Sequence, residues 1–123
     1  PYAEQAYKEM GELYDKLAEK EYLSAKLYYN LGTYLGNNYL SAEIVAKNAL
    51  KDFPTNRYQE DLNWIILQAK YQQTLNSLKK KKMERARETE DEYYSFIASF
   101  PESKHRNAAE RIGKEIKKIL GHE

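Results

Sequence analysis

Apolar and polar positions along the chain fall into runs of helical period, and the clearest lies between Tyr39 and Pro54. Ala42, Ala46 and Ala49 recur at spacings of four and three, which puts three methyl groups on one helix face and lets a second helix approach closely. Tyr39 opens the run with bulk, and Leu50 and Phe53 close it. Pro54 has no amide hydrogen and disfavours helix at the residue before it, so the spacing predicts a helix that stops at about Phe53. The turn before it falls on Gly36-Asn37-Asn38, residue types that tolerate left-handed backbone.

Upstream, Tyr2 to Leu31 contains no proline and only Gly11 as a glycine. Ala3, Ala6, Met10, Leu13 and Leu17 trace one face of a helix; Tyr22, Ala25, Tyr29 and Gly32 trace another. The pattern predicts one long helix whose buried face shifts near residue 20, with a break there as the alternative. It would pair in antiparallel fashion with the Tyr39 helix. Downstream, Thr55-Asn56 reads as a loop and a helix follows from about Tyr58 to Ser77. Its apolar stripe is Leu62, Ile65, Ile66, Ala69 and Leu75, with Trp64 and Tyr71 beside it. Lys79 to Lys82 break the pattern as a solvated loop, and Met83 to Phe100 resume it with Ala86, Tyr93, Phe96 and Ile97. Ser103 is positioned to cap a last helix, His105 to Leu120, with Ile112, Ile116, Ile119 and Leu120 on one face and Lys114, Lys117 and Lys118 largely on the other.

Phe100-Pro101 repeats Phe53-Pro54 at a distance of 47 residues, and Ala49-Leu50 align with Phe96-Ile97. Small residues flanked by large ones and closed by proline, recurring in this way, predict an all-α, tetratricopeptide-like helical-hairpin solenoid with a C-terminal capping helix. The whole chain, 1–123, is expected to be one repeat domain. Residues 2–54 form the first hairpin with its long connector helix, 58–100 the second hairpin, and 103–120 the cap. The spacing exceeds the roughly 34 residues of a standard tetratricopeptide unit, which the Tyr58 helix and its lysine-rich loop would account for.

Composition narrows the function classes. Apolar residues make up 41% of the chain and charged ones 32%, as in a folded helical interaction domain. Twelve tyrosines suit interfaces, since a ring can be buried while its hydroxyl reaches a partner. Twenty basic residues oppose nineteen acidic ones, which argues against a polyanion-binding surface as the main purpose. The absence of cysteine removes disulfides and thiol chemistry. No apolar run approaches the roughly 20 residues needed to span a bilayer. His105 and His122 give no metal pair at helical spacing, and Glu90, Asp91 and Glu92 are consecutive and point in different directions. Arg87 and Asp91 are spaced for a solvated ion pair. No phosphate loop, nucleophile elbow or zinc-helix motif occurs. The expectation is therefore no enzyme, with no catalytic, cofactor-binding or metal-binding residues. The candidate partner-binding residues are Glu43, Lys47, Asn48 and Lys51, on the expected outer side of the Tyr39 helix. A lesser alternative is a membrane-surface or nucleic-acid binder acting through Lys79 to Lys82.

The run from Leu17 to Tyr29, then Gly32, then Tyr39, Ala42 and Lys51-Asp52-Phe53-Pro54, resembles the BamD family of outer-membrane protein assembly factors. The Tyr34 to Asn38 turn is similar to that of the Bacteroides-type members. The resemblance covers nearly the whole chain and implies the C-terminal half of such a lipoprotein, with the leading repeats and the lipid-bearing cysteine upstream. It implies a non-enzymatic scaffold at the periplasmic face of the outer membrane. Its partners would be the periplasmic domains of the BamA-type barrel subunit, other assembly lipoproteins and unfolded barrel substrates, with no nucleic acid. Membrane contact would be made through the lipid anchor, and docking through the Tyr39 to Phe53 helix and the turn before it. Val45 stands where other members place a basic residue, so Lys47 or Lys51 would supply that charge. Another periplasmic tetratricopeptide scaffold is the alternative within the same class.

Overall fold

The computed structural model describes residues 2–121, and these form five helices with no strand among them. They are α1 (Tyr2–Leu31), α2 (Asn38–Asp52), α3 (Gln59–Leu75), α4 (Lys79–Ser99) and α5 (Arg106–Leu120). Each packs on the next, and α3 also touches both α1 and α5, which gives a stack of helical hairpins. His122 lies outside the described residues.

The long N-terminal segment is one unbroken helix. Its buried face is carried by Ala18 and Ala25, while the expected first stripe, Ala3, Ala6, Met10, Leu13 and Leu17, is solvent-exposed. Periodicity identified the stripe correctly, but a stripe is buried only where another element lies against it. Gly32, expected on the second face, instead ends the helix with φ +56, a left-handed residue whose N–H bonds the Tyr28 carbonyl. Tyr39 crosses so closely that a β-carbon on Gly32 would meet its hydroxyl at 2.8 Å. The turn is thus wider than Gly36-Asn37-Asn38: Leu35 and Gly36 also have positive φ, Asn37 caps α2 by accepting the Leu40 N–H, and Asn38 is already helical.

In the first core, Ala25 of α1 and Ala42, Ala46 and Ala49 of α2 enclose Leu62, Ile65, Ile66 and Ala69 of α3. The second gathers Leu67, Ala86, Phe96, Ala109, Ile112 and Ile116 from α3, α4 and α5. Helix α3 therefore faces two cores. Leu67 is fully buried on its second side, flanked by Trp64 and Tyr71, whereas Leu75 is exposed rather than part of the stripe. Between α3 and α4, Thr74 and Thr89 form a buried hydroxyl contact of 3.0 Å, and each also lies within 2.9 Å of its own i−4 carbonyl. The two hydroxyls hold two protons for three contacts, so at any moment two of the three are hydrogen bonds.

The two Phe-Pro ends match in backbone geometry as well as in letters. Phe53 closes α2 at φ −130 and ψ 66, Phe100 closes α4 at φ −131 and ψ 64, and each donates its N–H to the fourth residue back at 2.8 Å. Three residues on, Asn56 and Ser103 accept the N–H of Tyr58 and His105 with their side chains. Ser103 thus supports the turn, and His105 is the N-cap of α5.

Two expectations about α4 need correction. The Lys79 to Lys82 run is the first turn of α4 and not a loop, and only Asn76, Ser77 and Leu78 separate it from α3. Among the described residues, Glu92 ties the acidic triplet to α3 through Lys70, 3.1 Å away, in place of the expected Arg87–Asp91 pair.

Candidate functional site

The four residues expected to dock a partner do not share one role. On α2 the alanine face is buried, so the opposite face, with Leu40, Ile44, Lys47, Asn48 and Lys51 at spacings of three and four, looks outward. All five are exposed, including Leu40 at 43% and Ile44 at 48%. Glu43 is the exception. Its side chain is 12% exposed and accepts from Gln73 of α3 at 2.7 Å and from Lys47 at 2.5 Å, so it braces the α2–α3 seam. Val45 is half-buried against the first core and is not a surface position.

The ridge carries two exposed apolar side chains, Leu40 and Ile44, toward its N-terminal end and the polar Lys47, Asn48 and Lys51 beyond them. Sequence inspection for charge missed Leu40 and Ile44. Their spacing from Lys47 and Lys51 is the signal that would have found them.

A second concave surface runs across α1, α3 and α5. Two adjoining clefts of about 260 and 230 Å³ share Tyr29, Trp64 and Gln68 as common walls. Tyr22 and Lys26 continue the lining on α1, Tyr71 and Gln72 on α3, and Arg111 and Ile112 on α5. Burial raises the pKa of Tyr29 and of Tyr71, so both phenols stay protonated well above neutral pH and act as neutral hydrogen-bonding groups.

The walls are fixed by two matching joints between successive hairpins. Tyr58 stacks on Tyr22, with centroids 5.0 Å apart, and donates its hydroxyl to Glu19 at 2.7 Å. His105 stacks on Trp64 at 4.9 Å, and its Nε2 lies 3.2 Å from an Asp61 oxygen. Glu19 and Tyr22 precede Asp61 and Trp64 by the same 42 residues, and Tyr58 precedes His105 by 47. His105 is therefore a structural joint, occupying the place that Tyr58 occupies one repeat earlier.

Among the described residues no cluster of three or more His, Cys, Asp or Glu is placed to hold a metal ion. No described helix is long and apolar enough to cross a membrane. The arrangement offers a mixed ridge on α2 and a groove of aromatic rings, amides, the cations Lys26 and Arg111 and the Asp61 carboxylate. No family model matches the chain, and no curated protein matches it.

Proposed function

We propose that the chain is a non-enzymatic docking scaffold of the BamD type, a subunit of the machine that assembles β-barrel proteins in the outer membrane. In this reading it stands at the periplasmic face and holds the periplasmic domains of a BamA-type barrel subunit. The observation that carries the reading is the α2 ridge: Leu40 and Ile44 remain exposed beside Lys47, Asn48 and Lys51 although both neighbouring helices are already in place. A hairpin stack binds by such ridges and by its groove, with no cavity or cofactor required. The resemblance across the Leu17–Tyr29 and Tyr39–Pro54 segments supplies the class of partner.

The docking residues are accordingly Lys47, Asn48 and Lys51 with Leu40 and Ile44, and Glu43 contributes by holding Lys47 in place. The test is a pull-down from outer-membrane extract of the source organism, with wild type beside Lys47→Glu/Lys51→Glu. The expected result is recovery of a barrel protein with periplasmic domains by wild type and its loss from the variant, whose helical circular dichroism is unchanged. Recovery of that protein equally by both would move the interface off α2; its absence from both would remove the assembly-machine reading.

A further inference from the structure

We propose that the cleft around Arg85, between the α1–α2 and α3–α4 turns, binds an acidic segment of a partner polypeptide. This is a site apart from the α2 ridge, and it rests on the docking reading only in taking a polypeptide as the occupant.

Two clefts meet there. One of about 340 Å³ is lined by residues of the first turn, Thr33, Gly36, Asn37 and Tyr39, together with Gln73, Asn76 and Arg85. The other, about 320 Å³, is lined by Asn76, Ser77, Leu78, Lys80, Lys81 and Arg85. Asn76 and Arg85 form the wall common to both. Together they reach the size of a site for several side chains. Neither lining contains a carboxylate, although acidic and basic residues are nearly equal in the chain.

Arg85 is held in position. Its Nη1 donates to Ser77 Oγ at 2.6 Å, and that hydroxyl donates to the Gln73 carbonyl, also at 2.6 Å. A guanidinium carries five N–H donors in a planar fork, so this anchor orients the group and leaves further donors for a carboxylate. On its inner side Arg85 borders a small pocket with Glu43, Lys70 and Glu88. Glu43 is already bonded to Lys47 and Gln73, and Lys70 to Glu92. Glu88 is the competitor for Arg85, yet the guanidinium bonds Ser77, which lines the outer cleft.

The chemistry of the lining selects the occupant. The Asn37 oxygen caps α2 and the Gln73 and Asn76 nitrogens bond within the fold, so the Asn37 NH2, the Gln73 and Asn76 side-chain oxygens and the Thr33 and Tyr39 hydroxyls face the N–H and C=O groups of an extended peptide. Exposed Leu78 gives an apolar side chain a place to rest. The one aromatic ring in the lining, Tyr39, is packed against Tyr29 at 5.3 Å and so provides no platform for a stacked base. Lys80 and Lys81 add charge at the rim, where it chiefly accelerates encounter and makes binding depend on salt.

The test is fluorescence anisotropy with a short labelled peptide of Glu and Leu residues and its Gln-for-Glu counterpart, against the whole chain. Anionic phospholipid vesicles and a heparin column are run in parallel. The Glu peptide is expected to bind and the Gln peptide to bind far more weakly. Arg85→Gln should weaken the Glu peptide about tenfold, the size of one charge-assisted hydrogen bond. Lys80→Gln/Lys81→Gln should reduce both affinity and its salt dependence while leaving the Arg85 anchor intact. Lys51→Glu, exposed on the α2 ridge and outside both clefts, should change nothing here, which separates this site from the α2 ridge. If Arg85→Gln fails to fold, the exposed lysine pair decides alone. Equal binding of both peptides, or binding indifferent to these substitutions, overturns the proposal. So does retention on vesicles or heparin that requires Lys80 and Lys81 in the absence of peptide discrimination, which would assign the cluster to lipid or nucleic acid.

Discussion

Residue types alone indicated where the chain turns, and they indicated less well which side chains hold the turns. Phe53-Pro54 and Phe100-Pro101 were legible as repeat ends because proline acts locally. The same alignment carries four positions past the proline and pairs Asn56 with Ser103, Arg57 with Lys104 and Tyr58 with His105. Tyrosine and histidine look unlike as letters, and only their shared stack on an aromatic ring and shared carboxylate partner reveal the equivalence. The Tyr58 joint makes a prediction about alkaline stability. Its pKa is raised, first by the hydrogen bond it donates to Glu19 and then by burial. The unfolded chain, with its phenol near pH 10, therefore loses this proton before the folded one does. The contribution is complete below pH 10 and is lost as pH climbs through the raised folded value. Tyr58→Phe keeps the stack on Tyr22 and removes the hydrogen bond, so it should melt below wild type at neutral pH, and the gap should narrow in strong alkali. A gap of constant size from pH 7 to pH 11 would mean that the Glu19 bond contributes nothing.

At the scale of the element, the sequence placed all five helices to within a few residues, and its errors came from reading each helix by a single stripe. Helix α3 is buried on two sides, so Leu67, Trp64 and Tyr71 belong to a second core that one-face periodicity does not describe. A lysine run that interrupts apolar spacing reads as a loop, yet lysine is a good helix former and α4 starts on it. That start is poorly made. Leu78 sits at the N-cap in an extended conformation, φ −65 and ψ 149, with no side-chain cap, and the turn it opens carries cations near the positive end of the helix dipole. Leu78→Asp supplies both missing features at an exposed position whose backbone already suits a cap. It should raise stability by about 1 kcal/mol, read as a higher urea midpoint with an unchanged slope. An unchanged or lower midpoint would show that the first turn of α4 is not formed as described. The same substitution places a carboxylate on the wall of the Arg85 cleft, so it should also weaken the Glu peptide, linking a better helix to a poorer site.

For the whole molecule, the repeat states which faces are meant to be covered. The 42-residue offset that matches Tyr22 with Trp64 also matches Leu23 with Ile65 and Leu27 with Ala69. Ile65 and Ala69 are 5% and 0% exposed because α2 lies against them, whereas Leu23 and Leu27 are 52% and 59% exposed. At the other end, α5 turns Ile112 and Ile116 inward and leaves Lys114 and Lys118 outside. The stack thus has a polar end at α5 and an apolar end at α1, and the apolar end continues into the exposed Met10, Leu13 and Leu17 stripe. This asymmetry was beyond reading from periodicity, because Leu23 and Ile65 look alike until their neighbours are known. It can be tested by charge. Leu23→Glu/Leu27→Glu puts two carboxylates into water and should shift stability by no more than about 0.5 kcal/mol. Ile65→Glu buries one carboxylate without a partner in the first core and should cost several kcal/mol, enough to unfold a marginal domain. Thermal melts of the two variants at low protein concentration would separate them cleanly. A loss in the double variant as large as that of Ile65→Glu, and one that grows with protein concentration, would show instead that the α1 face is covered by a second copy of the chain. Stability of the wild type would then depend on association, and the apolar end of the stack would be an interface in its own right.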